Sequence, residues 1–178
     1  MTEQLRPAGT SPAADQVDEV TRALLTGSRL LLALSTRALA AGAGDRVTLA
    51  QFRMLAALAE RGHVKLVALA GLMAVNPSTA MRMVDRLIAA GLADRRPNPA
   101  NRRETVLTAT ATGLRLVEEV TARRRAEVAA VVARMDPEQR AALVGALTAF
   151  IGAGGEPGAD EPYGSPRPLG WTEPYVLG

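Results

Sequence analysis

Six arginines crowd the stretch from Arg82 to Arg103, at positions 82, 86, 95, 96, 102 and 103, against two aspartates, Asp85 and Asp94. Guanidinium groups at that density suit phosphate, because each offers a planar fork of donors and stays charged at any physiological pH. Covalent chemistry is the poorer reading. The chain has one histidine, His63, and no cysteine, which removes disulfides, thiolate metal sites and thiol redox sensing and leaves too few ligands for the usual transition-metal site. With no nucleophile beside a base and no phosphate-cradling glycine loop, no catalytic residue, cofactor or metal is expected, and the chain does not read as an enzyme.

The arginines divide between two elements. Arg82 and Arg86 lie four apart in a segment that opens with Asn76-Pro77-Ser78-Thr79 and closes at Gly91. Asparagine as cap and proline at the first helical position predict a helix start. Ala80, Val84, Leu87 and Ile88 fall on its inner face, and Thr79, Arg82, Met83 and Arg86 on its outer one. The other four arginines flank Pro97 and Pro99, which bar a helix between them. Leu92 to Arg96 and Glu104 to Ala109 are therefore expected to form a β-hairpin with a basic tip.

The rest of the chain must position these two elements. Ser11-Pro12 predicts the start of a long helix carrying Val17, Val20, Leu24, Leu31 and Leu34 up to about Ala41, with Gly27 as a point of close packing. Thr48-Leu49-Ala50-Gln51 has the capping-box form and predicts a second helix with Phe52, Leu55 and Leu58 inward. Leu66, Leu69, Ala70 and Met73 predict a short third. After Thr110 a long helix is expected to about Arg134, with Leu114, Val117, Val120, Val128, Val131 and Val132 apolar and Arg123-Arg124-Arg125 exposed. Asp136-Pro137-Glu138-Gln139 caps a last helix with Leu143, Val144, Leu147, Phe150 and Ile151 on its apolar side.

A length of 178 residues fits one domain with tails. Five aromatics in the whole chain leave the core to alanine, leucine and valine, which favours packed helices. The net charge is +3 and the isoelectric point about 10.1, a mild excess whose placement says more than its size. From Gly152 onward, 12 of 27 residues are glycine or proline, a tail composition. That tail holds acids at 156, 160, 161 and 173 against Arg167, together with Tyr163, Trp171 and Tyr175, so docking on the body or a partner is its second reading. Lys65 is the sole lysine, a bias that suggests high-GC bacterial coding. No run approaches the roughly 18 apolar residues of a membrane span, and residues 1–14 read as a polar arm without a signal-peptide core. The expected location is the cytoplasm, with no membrane partner.

Over about residues 15–151 the chain resembles the MarR family of bacterial winged helix-turn-helix regulators. Val75-Asn76-Pro77-Ser78-Thr79 with Arg82, Val84-Asp85-Arg86-Leu87 and Gly91-Leu92 is similar to the family's recognition helix and its exit. Asn101-Arg102-Arg103 is similar to the Asp-x-Arg wing signature, and Ala109-Thr110-Ala111-Thr112-Gly113 to Leu-Thr-x-x-Gly. Each motif alone is weak; their order and spacing make the resemblance. Two positions depart from the pattern. Asn101 replaces an aspartate that would brace the wing arginine, and Met81 stands where the family often has threonine. A methionine touches a thymine methyl but donates nothing to a base.

The resemblance implies a mainly α fold with a two- or three-stranded wing sheet. Its lobe would span 46–110, with dimerisation helices at 15–45 and 111–151, a flexible arm at 1–14 and a tail at 152–178. Ser78, Thr79, Arg82 and Arg86 would meet bases or phosphates in a major groove. Arg103 would enter a minor groove, with Arg95, Arg96 and Arg102 on phosphates. Arg86 has a second reading as the partner of Asp85 or Asp94, and Arg102 as a solvated charge. The implied partner is double-stranded DNA with a pseudo-palindromic site, bound by a homodimer acting as a repressor relieved by a small, aromatic ligand. Arg29, Arg37, Met54 and His63 are the ligand candidates by location. The competing function is a helical protein–protein adaptor on the same fold that reads no DNA.

Overall fold

The computed structural model describes residues 12–98 and 101–154, and of residues 101–104 the backbone alone. In chain order the elements are α1 (Pro12–Ala43), a single 3-10 turn (Gly44–Arg46), α2 (Leu49–Arg61), α3 (Leu66–Leu72), α4 (Pro77–Ala89), β1 (Ala93–Asn98), β2 (Asn101–Ala109), α5 (Ala111–Val132) and α6 (Pro137–Ala153). Helix begins at Pro12, the first helical position read from Ser11-Pro12 and within the arm expected at 1–14, and α6 carries two residues into the expected tail. Residues 1–11 and the tail from 155, with its three aromatics, lie outside the described residues.

The caps expected at Thr48 and Asn76 are made, whereas Ser11 lies outside the described residues. Thr48 Oγ1 accepts from the Gln51 amide at 3.3 Å while the Thr48 amide donates to Gln51 Oε1 at 2.8 Å, so α2 starts with two otherwise orphaned donors satisfied. Its next turns supply the centre of the core: Met54, Leu55, Ala56 and Leu58 have no exposed surface, and Phe52 almost none. Around them pack Leu69 of α3, Ala80, Val84 and Leu87 of α4, Leu107 of β2, Leu116, Val117 and Val120 of α5, and Leu39 and Ala43 at the end of α1. Gly62, at φ +72°, ends α2 and lets the chain turn into Val64, which forms a lone antiparallel bridge with Leu107. Of the two or three strands expected, the sheet has two, β1 and β2, with this one bridge beside them.

The exit from α4 is a Schellman motif. Gly91 takes φ +71°, its amide bonds the Ile88 carbonyl at 2.9 Å, and the Leu92 amide bonds the Leu87 carbonyl at 2.9 Å, with the buried Leu92 as the accompanying apolar anchor. This reversal sends β1 back along α4. The strands pair from Ala93 with Ala109 up to Asn98 with Asn101, with an irregularity between Pro97 and Asn98.

Threonine and glycine at the head of α5 have separate physical roles. Thr110 caps the helix by accepting from the Gly113 amide at 3.0 Å, and its hydroxyl donates to the Gly91 carbonyl at 2.8 Å. Gly113 lies so close to the hairpin root that a Cβ there would sit 2.1 Å from the Leu92 carbonyl oxygen. That contact sets the phase of α5 and corrects one expectation: Leu116 is buried, and Leu114 is exposed.

The outer helices depart further from the sequence reading. In α1 only the second half is buried, at Leu34, Ser35, Ala38, Leu39 and Ala43, whereas Val17, Val20 and Leu31 of the expected stripe are exposed. Gly27 has no atom within 4 Å of where a Cβ would stand, so it is not a packing point within the protomer. All of α6 is exposed, Leu143, Val144, Leu147, Phe150 and Ile151 included. Arg124, expected on the surface, is half-buried, and burial pushes its guanidinium pKa below the usual arginine value. Its Nε has no hydrogen-bond partner among the described residues.

Candidate nucleic-acid interface

The outer face of α4 is built by its cap and its inner face together. Asn76 Oδ1 accepts from the Thr79 amide and from the Ser78 hydroxyl, both at 2.8 Å, which leaves the first turn pointing outward with the positive end of the helix dipole. With Ala80, Val84 and Leu87 fully buried, Ser78, Met81, Arg82, Asp85 and Arg86 are left exposed, while Thr79 is half-buried. Arg82 Nη2 donates to Thr79 Oγ1 at 3.3 Å, so that hydroxyl orients a guanidinium rather than facing solvent alone. Met83, expected outside, is half-buried and packs on the core; Met81 is the methionine on the outer face.

The hairpin adds charge beside this helix, and the pairing of that charge differs from the expectation. Asp85 and Asp94 are not held by Arg86. Arg95 Nη2 reaches Asp85 Oδ1 at 2.5 Å, and Arg96 Nε reaches Asp94 Oδ2 at 3.2 Å. The same Arg95 nitrogen lies 2.9 Å from the Met81 sulfur. Arg82 and Arg86 have no carboxylate partner among the described residues. The Arg95 and Arg96 pairs are roughly half-exposed on both sides, and such pairs contribute about 1 kcal/mol or less, so Arg96 can exchange Asp94 for a phosphate cheaply, whereas Arg95 has Met81 as a second contact besides Asp85. Asn101, Arg102 and Arg103 have their backbone in β2; their side chains, and with them the bracing of Arg103, lie outside the described residues.

The four ligand candidates are not brought into one site. Arg37 Nη2 pairs with Glu127 Oε2 at 2.9 Å and ties α1 to α5. Arg29 bonds Thr26 of its own helix at 3.1 Å. His63 is exposed in the turn after α2. Met54 is wholly inside the core and offers no surface to a ligand. Two features escaped sequence reading. The contact of Arg95 with both Met81 and Asp85 needs the chain reversal at Gly91, which sequence spacing alone does not place. The half-burial of Arg124 left no composition signal.

A capped helix led by a short helix, followed by a basic hairpin on the same side, defines a winged helix-turn-helix protein. The MarR family matches residues 47–105. Of the solved structures, RV1404 from Mycobacterium tuberculosis is 48% identical with a TM-score of 0.70, over 80% of this chain and 97% of that one. The transcriptional regulator Tm0710 from Thermotoga maritima is 26% identical with a TM-score of 0.62, over 76% and 94%. BpsR of Bordetella bronchiseptica, whose DNA binding is described as regulated by 6-hydroxynicotinic acid, is 27% identical with a TM-score of 0.53, over 74% and 91%. No curated protein sequence matches the chain. The chain belongs to the MarR family of transcriptional regulators.

Proposed function

We propose that the chain is a sequence-specific DNA-binding repressor that acts as a homodimer in the bacterial cytoplasm and is relieved by a small aromatic acid. The observation that carries this reading is the outer face of α4, where Ser78, Arg82 and Arg86 stand exposed beside a hairpin that bears four further arginines. Laid in a major groove, α4 presents Ser78, Thr79 and Arg82 to base edges and nearby phosphates, and Arg86 to the backbone. Arg96 and Arg102 neutralise flanking phosphates, and Arg103 enters the minor groove, where a narrow A·T tract concentrates negative potential.

The dimer is supported by surface that the protomer leaves uncovered. Nearly every position of α6 outside its first turn is apolar, right round the helix, yet none is buried; a helix apolar on all sides belongs in an interior. α1 exposes Val17, Val20, Leu25 and Leu30 as well. Interlocked with a second copy, these helices would place two reading helices about 34 Å apart, one turn of duplex. An aromatic acid as effector is supported by the BpsR likeness and by the basic residues on α1 and α5.

Selection of genomic fragments by the purified chain tests the reading. The expected product is an enriched palindrome bound with a slope of log K against log salt near −5, for about six phosphates neutralised per dimer. Recovery of no enriched site sinks it in favour of a protein–protein adaptor. Release of that site by 6-hydroxynicotinate or a related aromatic acid checks the effector.

A further inference from the structure

We propose that Arg95 is a positioning residue rather than a phosphate contact, and that it holds Met81 so that the Met81 thioether reads a thymine methyl. Met81 and Asp85 are four apart on α4 and so share one face. Arg95 comes to that face from β1, and one nitrogen of its guanidinium spans both: 2.5 Å to Asp85 Oδ1 and 2.9 Å to Met81 Sδ. A methionine has three side-chain torsions and ordinarily specifies little, because it repacks at small cost. Here the sulfur is tied to a donor that is itself anchored by a carboxylate. Rotamer freedom is removed at the sulfur, and the terminal methyl, beyond the tie, is the free end. Met81 stays 38% exposed, on the outer face that also presents Ser78 and Arg82.

The chemistry of what such a group reads follows from what it lacks. A thioether donates no hydrogen bond and is only a weak acceptor, already approached by Arg95, so it contributes little to a purine edge or to cytosine N4. The apolar feature of the major groove is the C5 methyl of thymine. The tie also joins wing to helix. Arg95 thus links β1 to α4 at a second point besides the turn at Gly91.

This assignment rests on the DNA-reading role proposed above, and its test separates the two. In the operator recovered by fragment selection, thymines are replaced one at a time by deoxyuridine, which deletes the methyl and keeps every hydrogen-bonding group. The wild-type chain is expected to lose about fourfold in affinity per half-site at one thymine, the factor that one buried methylene corresponds to. Met81→Ala is expected to bind the thymine and deoxyuridine duplexes equally. Arg95→Ala is expected to flatten the same ratio while leaving the salt slope unchanged, and Arg95→Lys, which restores a donor and a charge, to recover part of it. Asp85→Asn provides a variant whose electrostatics point the other way: with one negative charge removed from the reading face, affinity for every sequence rises, yet discrimination falls because the anchor of Arg95 is gone. A wild-type chain indifferent to every methyl overturns the role of Met81. A salt slope reduced by about one per subunit in Arg95→Ala overturns the positioning role, since that is the mark of a phosphate contact. Failure to recover any operator overturns DNA reading itself.

Discussion

The lobe from α2 to the head of α5 and the flanking pair α1 and α6 use the same helix chemistry and reach opposite results. In the lobe each cap is followed by burial: Thr48 by Phe52 and Leu55, Asn76 by Ala80 and Val84, Thr110 by Leu116 and Val120. In α6 the Asp136 amide donates to Gln139 Oε1 at 3.1 Å, so the start is closed by a side chain here too, yet none of its 17 residues is buried. Local sequence begins a helix; it does not supply the surface that keeps one. An isolated helix of this length is marginal in water, so α6 needs a surface that the described protomer does not provide. Closure within one chain and, in the dimer proposed above, closure against a second copy thus divide the molecule, and substitutions in the two halves are expected to fail in different ways.

Gly113→Ala is the most damaging change expected in the lobe. Its methyl would stand 2.1 Å from a backbone carbonyl and 3.0 Å from Leu55 Cδ1, so β1, α5 or both must shift, at a cost of about 3 kcal/mol or more. Urea titration followed by circular dichroism is expected to show a large fall in midpoint, or no folded protein at all; a midpoint within about 0.5 M urea of wild type would mean the contact relaxes easily. The matching change in the flanks is Leu147→Glu with Phe150→Glu. Both side chains are exposed in the protomer, so the lobe is expected to stay folded while sedimentation equilibrium moves from dimer to monomer at micromolar concentration. Simultaneous loss of lobe structure would show that the two halves do not close independently.

Arg103→Ala sharpens the comparison from the side of function. Under the minor-groove role proposed for Arg103, the change is expected to weaken operator binding by more than tenfold, about 1.4 kcal/mol, with no change in melting temperature. Gel-shift titration beside a thermal melt checks both halves of that statement, and unaltered affinity would remove Arg103 from the reading surface.

Where the sequence was legible, the signal was local. Caps and 3.6-residue spacing located α2, α3, α4 and α5, and proline placement located the hairpin. The residues that misled are those whose environment is set at long range. Leu114 and Leu116 are both plausible on an apolar stripe, and only the pressure of Gly113 on Leu92 chooses between them. Asp85 adjoins Arg86 in sequence, but neighbours on a helix do not face each other, and its partner arrives from ten residues on, after the turn at Gly91. Arg124 looked like one of three solvated arginines; its neighbours Arg123 and Arg125 are exposed, while it is half-buried.

The turn between α3 and α4 offers the smallest test, and a sign that separates two effects. Ala74 sits at φ +51°, the single non-glycine residue with positive φ among those described, and its amide bonds the Gly71 carbonyl at 3.0 Å while Val75 bonds Ala70 at 3.1 Å. Alanine in this left-handed region costs about 1–2 kcal/mol, from Cβ crowding the following carbonyl. Glycine removes that cost and loses about 0.5–1 kcal/mol by loosening the unfolded chain. Ala74→Gly is therefore expected to stabilise by about 0.5 kcal/mol, a rise of roughly 1–2 °C in melting temperature. A fall instead would mean that unfolded-state entropy outweighs backbone strain at this turn, and that the lobe tolerates its left-handed alanine because the helices on either side are already held by Leu69 and Ala80.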